Sequence, residues 1–165
     1  MQPLGEYQEG DQPALWCQTC GTPIEGAPGE RRAAPPRPST ILCIDDDQIV
    51  LSVYSDALER HGFRTLVASD GPAGIALAKQ ERPDLILLDV MLPGMGGFEI
   101  CRRLRAEPGL RDTPIILLTA STDPDLDSKG REAGATSTLR KPFGPATIVS
   151  TVEQVLGRKA APPKP

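Results

Sequence analysis

The chain has 165 residues, a net charge of −4 and a pI near 5.1, a length that suits one domain with extensions. Its 39% hydrophobic and 24% charged residues are ordinary globular usage. The acidic balance and the 4% aromatic content argue against a basic nucleic-acid surface and against stacking platforms, and the one histidine, His61, argues against a histidine-rich metal site.

No apolar run approaches the ~20 residues of a membrane span. The opening Met1-Gln2-Pro3-Leu4-Gly5-Glu6 has neither the basic nor the apolar part of a secretory signal. A cytoplasmic protein without membrane contact is expected, its four cysteines serving as thiols or metal ligands rather than disulfides.

Proline marks the boundaries. Seven of the 18 prolines fall in residues 1–38 and three in 158–165. Residues 1–39 therefore read as a flexible extension, 40–157 as the folded domain and 158–165 as a disordered tail. Within the domain, Thr40–Ile44 is a buried-strand run. Asp47 to His61 carries apolar residues at Ile49, Val50, Val53, Ala57 and Leu58 with helical spacing, and Gly62 closes the helix. A strand follows at Arg64–Ala68 and a helix from Pro72 to Gln80, ended by Arg82-Pro83. Leu85–Leu88 is the most hydrophobic strand. The loop Met91–Gly97 leads to a helix from Phe98 to Glu107. Pro114–Leu118 is the fourth strand, and Pro124–Ala133 is a weak helix with Gly130 in its middle, a residue that costs about 1 kcal/mol against Ala there. Thr136–Arg140 and Pro145–Leu156 are the last strand and helix. Five βα units with strands apolar throughout imply an α/β fold, a doubly wound five-stranded parallel sheet covered on both faces.

Ligands bind such sheets at the C-terminal strand ends. Strand one ends in Asp45-Asp46-Asp47, strand three in Asp89, strand four in Thr119-Ala120 and strand five in Lys141-Pro142. Clustered carboxylates repel unless a cation sits among them. Oxygen donors with spare positions suit Mg²⁺, a lysine suits phosphate oxygens, and a carboxylate nucleophile in such a site would form an aspartyl phosphate. Asp47 reads as a helix cap. His61 reads as a partner of the first helix's C-terminus, and Cys43 and Cys101 as small core residues.

At these residues the chain resembles the response-regulator receiver domain of two-component signalling. The matching segments are Ile41 to Asp47, Pro83 to Gly97, Pro114 to Ala120, and Gly134-Ala135 through Lys141-Pro142-Phe143. The resemblance covers residues 40–157 and implies a flavodoxin-like (βα)5 fold with strand order 2-1-3-4-5. It implies Asp89 as phosphoacceptor, Thr119 as switch hydroxyl and Lys141 as the phosphoryl-binding lysine. Asp45, Asp46 and Asp89 would hold Mg²⁺ with the backbone carbonyl of Met91, and the Lys141–Pro142 bond would be cis. One departure stands out: Thr138 occupies the place three residues before the lysine where an aromatic switch residue is usual.

The expected protein is a stand-alone regulator, a phosphoacceptor rather than a turnover enzyme. It would be served by a sensor histidine kinase or phosphotransfer protein and would signal to an unknown downstream protein, without direct nucleic-acid contact. A hydrolase of the haloacid dehalogenase type would want an acid where Met91 stands. An unphosphorylated pseudo-receiver usually lacks one of the acidic or lysine positions that are all filled here. A zinc-ribbon adaptor is the third rival. Cys17-Gln18-Thr19-Cys20-Gly21 resembles one zinc-ribbon knuckle, but structural zinc takes four ligands and no second knuckle follows. Cys17 and Cys20 therefore read as a zinc half-site completed by a second chain, as a redox pair, or as part of a metal-free extension.

Overall fold

The computed structural model describes residues 37–157. The expectations for the N-terminal extension, for zinc at Cys17 and Cys20 and for the tail lie outside the described residues. The elements are β1 (Thr40–Ile44), α1 (Gln48–Arg60), β2 (Arg64–Ala68), α2 (Gly71–Glu81), β3 (Leu85–Asp89), α3 (Gly97–Ala106), a 3₁₀ turn (Pro108–Leu110), β4 (Ile115–Thr119), α4 (Leu126–Ala133), β5 (Ser137–Arg140) and α5 (Pro145–Val155). All five strands are parallel, in the order β2-β1-β3-β4-β5.

Local chemistry sets the helix ends. The Asp47 carboxylate accepts from the Ile49 and Val50 amides at 2.9 and 3.3 Å, and Asp70 accepts from Ala73 at 2.8 Å, with Pro72 inside the first turn of α2. Nδ1 of His61 lies 2.8 Å from the Ala57 carbonyl, so the ring caps the end of α1 as expected.

Two apolar layers cover the sheet. On one face α1 and α5 pack Leu51, Tyr54, Leu58, Ile148, Val149 and Val152 onto Ile41, Cys43, Leu85, Leu87, Ile116 and Leu118. The opposite face seats α2, α3 and α4 against Leu42, Ile44, Ile86, Leu88, Ile115 and Leu117. Cys43 and Cys101 are both buried thiols, and burial, helped by nearby Asp45, pushes the Cys43 thiol up to about 12.

Three expectations change. Only β1, β3 and β4 are buried throughout; the edge strands β2 and β5 are half-exposed, because each has a neighbour on one side only. The buried stripe of α1 is Leu51, Tyr54 and Leu58, while Ile49 and Val53 are 76% and 41% exposed. Gly130 is not merely a weak point of α4: it is buried, and a Cβ there would lie 3.2 Å from Leu117 Cδ1 and from Thr138 Oγ1. The missing side chain lets α4 settle onto the sheet.

Candidate functional site

Parallel pairing brings the C-terminal ends of β1, β3, β4 and β5 to one edge. Asp45 follows β1 and Asp89 ends β3; they are 2% and 5% exposed. Asp46, beside them, is exposed. Among the described residues these three side chains offer oxygen atoms within 4.8 Å of one another. Lys141 reaches in from the end of β5, its Nζ 3.3 Å from Asp45 Oδ2 and 3.5 Å from Asp89 Oδ1. Its own amide donates to the Thr119 carbonyl at 2.7 Å, extending the β4–β5 ladder by one bond. The Lys141–Pro142 peptide is cis.

Electrostatics follow from these positions. The other oxygen of Asp45 accepts from the Asp47 amide at 3.0 Å. Burial raises the Asp89 carboxyl above its ordinary value; Lys141 pulls it back, Asp45 pushes it further up, and the Met91 amide donates to it. Three carboxylates against one ammonium leave two negative charges uncompensated, the charge of one Mg²⁺. The donors are all carboxylate oxygens, the hard ligands that this hard ion prefers. The residues present therefore fit the metal.

Thr119, fully buried at the end of β4, accepts the Ser121 amide on Oγ1 at 3.0 Å. Met91 is 69% exposed on the β3–α3 loop. Thus Asp45, Asp46, Asp89 and Lys141 come together, and Thr119 sits on the same strand-end edge. Tyr54, absent from the apolar stripe read in the sequence, is 7% exposed, and its ring stacks on Phe143. Burial, then Asp45 and Asp89, push its phenol up to about 12, so it stays neutral beside the acids. The signal for it was its place three residues after Leu51 and four before Leu58, two core leucines of α1.

The loop after Asp89 depends on Gly97. A Cβ there would sit 2.6 Å from the Asp89 carbonyl and 2.7 Å from Val90 Cα, both backbone, whereas at Gly96 it would meet nothing within 4 Å. Gly97→Ala is expected to cost about 1–3 kcal/mol in urea unfolding and to displace the strand end that carries Asp89. Gly96→Ala should stay close to wild type in the same assay.

The family described as Response regulator receiver domain matches residues 41–153. This chain is a member of the response-regulator receiver family. DNA-binding response regulator MtrA of Mycobacterium tuberculosis is 42% identical over 118 residues, which are 72% of this chain and 50% of MtrA. Transcriptional regulatory protein AfsQ1 of Streptomyces coelicolor is 42% identical over 120 residues, 72% of this chain and 52% of that protein. Chemotaxis response regulator CheY4 of Vibrio cholerae superposes with a TM-score of 0.69 at 35% identity, covering 72% of this chain and 98% of CheY4. The receiver domain of sensor histidine kinase PA1611 of Pseudomonas aeruginosa, solved with a magnesium ion in its active-site cleft, matches with a TM-score of 0.67 at 30% identity, covering 73% and 98% of the two chains.

This receiver spans about half the length of the curated relatives it matches. The expectation that the regulator makes no direct contact with nucleic acid is overturned, because MtrA is named for DNA binding and AfsQ1 for transcriptional regulation. The physical reason is simple. A net charge of −4 describes the residues of this chain and carries no information about the half of a relative that the match leaves uncovered. Zinc gains no support, since Cys17 and Cys20 lie outside the match and outside the described residues. No helix among the described residues is long and apolar enough to cross a membrane.

Proposed function

We propose that this receiver takes a phosphoryl group onto Asp89 from the phosphohistidine of a sensor kinase or phosphotransfer protein, and that residues 40–157 are the unit that does so. The observation that carries the reading is the convergence of Asp45, Asp46, Asp89 and Lys141 at one sheet edge.

An Asp89 carboxylate oxygen attacks phosphorus. The new P–O bond forms as the P–N bond breaks, and the electron pair returns to the imidazole nitrogen of the donor, which takes up a proton. Lys141, within 3.5 Å of both buried carboxylates, offers an ammonium to the phosphoryl oxygens. Thr119 offers a hydroxyl from β4. Asp45, Asp46 and Asp89, with the Met91 carbonyl, are the residues that would hold Mg²⁺. The bound ion would offset the negative charge gathered on carboxylates and phosphoryl oxygens. A cytoplasmic setting goes with this reading, as the sequence led us to expect.

A protein donor also needs a surface. Ile49 and Val53 are exposed apolar residues on α1, whose first turn follows the acidic pair, and Met91 is exposed beyond Asp89. A helical donor protein laid along this rim would cover that apolar surface while presenting its histidine to Asp89.

The test is chemical. The protein is incubated with acetyl phosphate and Mg²⁺ and then reduced with borohydride, which converts an aspartyl phosphate to homoserine. Homoserine at position 89 alone supports the reading. Homoserine elsewhere, or no acyl phosphate together with no binding of beryllofluoride, overturns it in favour of a receiver-shaped binding module.

A further inference from the structure

We propose that Tyr54 is a positioning residue for phosphoryl transfer: its ring, stacked on Phe143, clamps the Lys141–Pro142–Phe143 turn to α1 and thereby holds the Lys141 ammonium between Asp45 and Asp89. The inference rests on the reading of Asp89 as phosphoacceptor.

The need for a clamp follows from where Lys141 sits. β5 is an edge strand of four residues, Ser137–Arg140, and it pairs with β4 alone. Its side chains are exposed or half-exposed. The ladder ends one residue later, at the bond from the Lys141 amide to the Thr119 carbonyl. Beyond it Pro142 and Gly144 are exposed, and α5 starts at Pro145 with no side-chain cap. Lysine is a long side chain with many rotamers to lose, so a loosely held turn would spread its ammonium over many positions.

Phe143 is the first apolar anchor after the ladder ends, and it packs against the layer built by α1 and α5. Its ring lies 6.0 Å from that of Tyr54, centroid to centroid, at an interplanar angle of 29°, a separation at which aromatic pairs attract beyond simple burial. Tyr54 is itself fixed: it is 7% exposed and belongs to the Leu51, Tyr54, Leu58 stripe of α1. The helix that carries it starts directly after Asp45, Asp46 and Asp47. One rigid element therefore sets both the acidic pair and, through two rings, the turn that carries the cation. The phenol remains neutral next to the acids, so the clamp adds no charge to the site.

The full chain is assayed with acetyl phosphate and Mg²⁺ as wild type, Tyr54→Phe, Tyr54→Leu, Lys141→Ala and the Tyr54→Leu/Lys141→Ala pair. Tyr54→Phe keeps the ring and is expected to react at about the wild-type rate, whereas Tyr54→Leu is expected to lose about tenfold, within the usual range for coupled neighbours. Mg²⁺ affinity, read by calorimetry, should not fall in either, because the clamp acts on Lys141 and not on the acids. In the Lys141→Ala background Tyr54→Leu should change nothing further. Phe143→Leu, which breaks the stack from the other side, should follow the same pattern and replaces Tyr54→Leu if that variant does not fold. The inference is overturned if the leucine variants react like wild type. It is also overturned if they lose as much without Lys141 as with it, or if Tyr54→Phe falls as far as Tyr54→Leu. A wild-type protein that takes up no phosphoryl group overturns the phosphoacceptor reading itself.

Discussion

Asp89→Asn is expected to lose phosphoryl uptake by about 100-fold or more, the scale on which removal of a nucleophile acts, and to melt at a higher temperature than wild type when Mg²⁺ is withheld. The first effect follows because an uncharged amide oxygen is too weak a nucleophile to attack phosphorus, and neither neighbouring acid is placed to substitute. Asp45 already serves Lys141 with one oxygen and the Asp47 amide with the other. Asp46 lies exposed to water.

The second effect follows from the sign of the Asp89 shift. Burial, the largest cause, raises its carboxyl in the folded protein. A group whose folded pKa lies above its unfolded value contributes stability that is complete in acid and is lost as pH rises through the folded value. At neutral pH the ionised Asp89 therefore opposes folding, and asparagine, still able to accept from the Met91 amide, removes that opposition. The advantage should fade as pH falls, and it should shrink when Mg²⁺ is supplied to the wild type. Thermal melts of both proteins across pH, with chelator and with Mg²⁺, check all three statements. A variant that melts below wild type in chelator at neutral pH would mean that the Lys141 contact outweighs the burial cost.

Much of this site was legible in the sequence because its residues stand at the ends of hydrophobic strands, and parallel pairing forces such ends onto one edge. Asp45, Asp89 and Lys141 meet for that reason, although they are far apart in the chain. Asp47 as a cap and His61 at the end of α1 were also legible, since both act on backbone within four residues.

What escaped depends on tertiary neighbours. Periodicity showed that α1 has an apolar side but not which flank the sheet would cover. Ile49 and Val53 ended outside, and Tyr54 turned inward to meet Phe143, a residue from the far end of the domain. Gly130 looked like a helix defect because only the packed structure places Leu117 and Thr138 against it. The exclusion of nucleic acid failed for a different reason: composition speaks for one domain, and MtrA and AfsQ1 are about twice the length of the segment matched.

Loading the protein with beryllofluoride, a phosphoryl mimic, is expected to change amide exchange most between Thr119 and Lys129, and Thr119→Val is expected to abolish that change. A staircase of hydrogen bonds starts at Thr119. The Ser121 amide donates to Thr119 Oγ1 at 3.0 Å, the Asp123 amide to Ser121 Oγ at 3.1 Å, and the Asp125 amide to Asp123 Oδ1 at 2.9 Å. Lys129 of α4 then donates to Asp123 Oδ2 at 2.6 Å. A single hydroxyl thus governs the first step of a path that ends on α4. If the Thr119 hydroxyl turns to donate to a phosphoryl oxygen on Asp89, the Ser121 amide loses its partner and the steps above it are released. The bond from Ser121 to Thr119 is worth about 1 kcal/mol, about fivefold in amide protection. Valine keeps the shape of threonine but accepts nothing, so the variant should exchange quickly at Ser121 with or without the mimic. The usual aromatic route is closed, because Thr138 has no ring to rotate and Gly130 lies against it. Exchange that changes along β5 and α5 while residues 119–129 stay as they were would show that the signal leaves by another path.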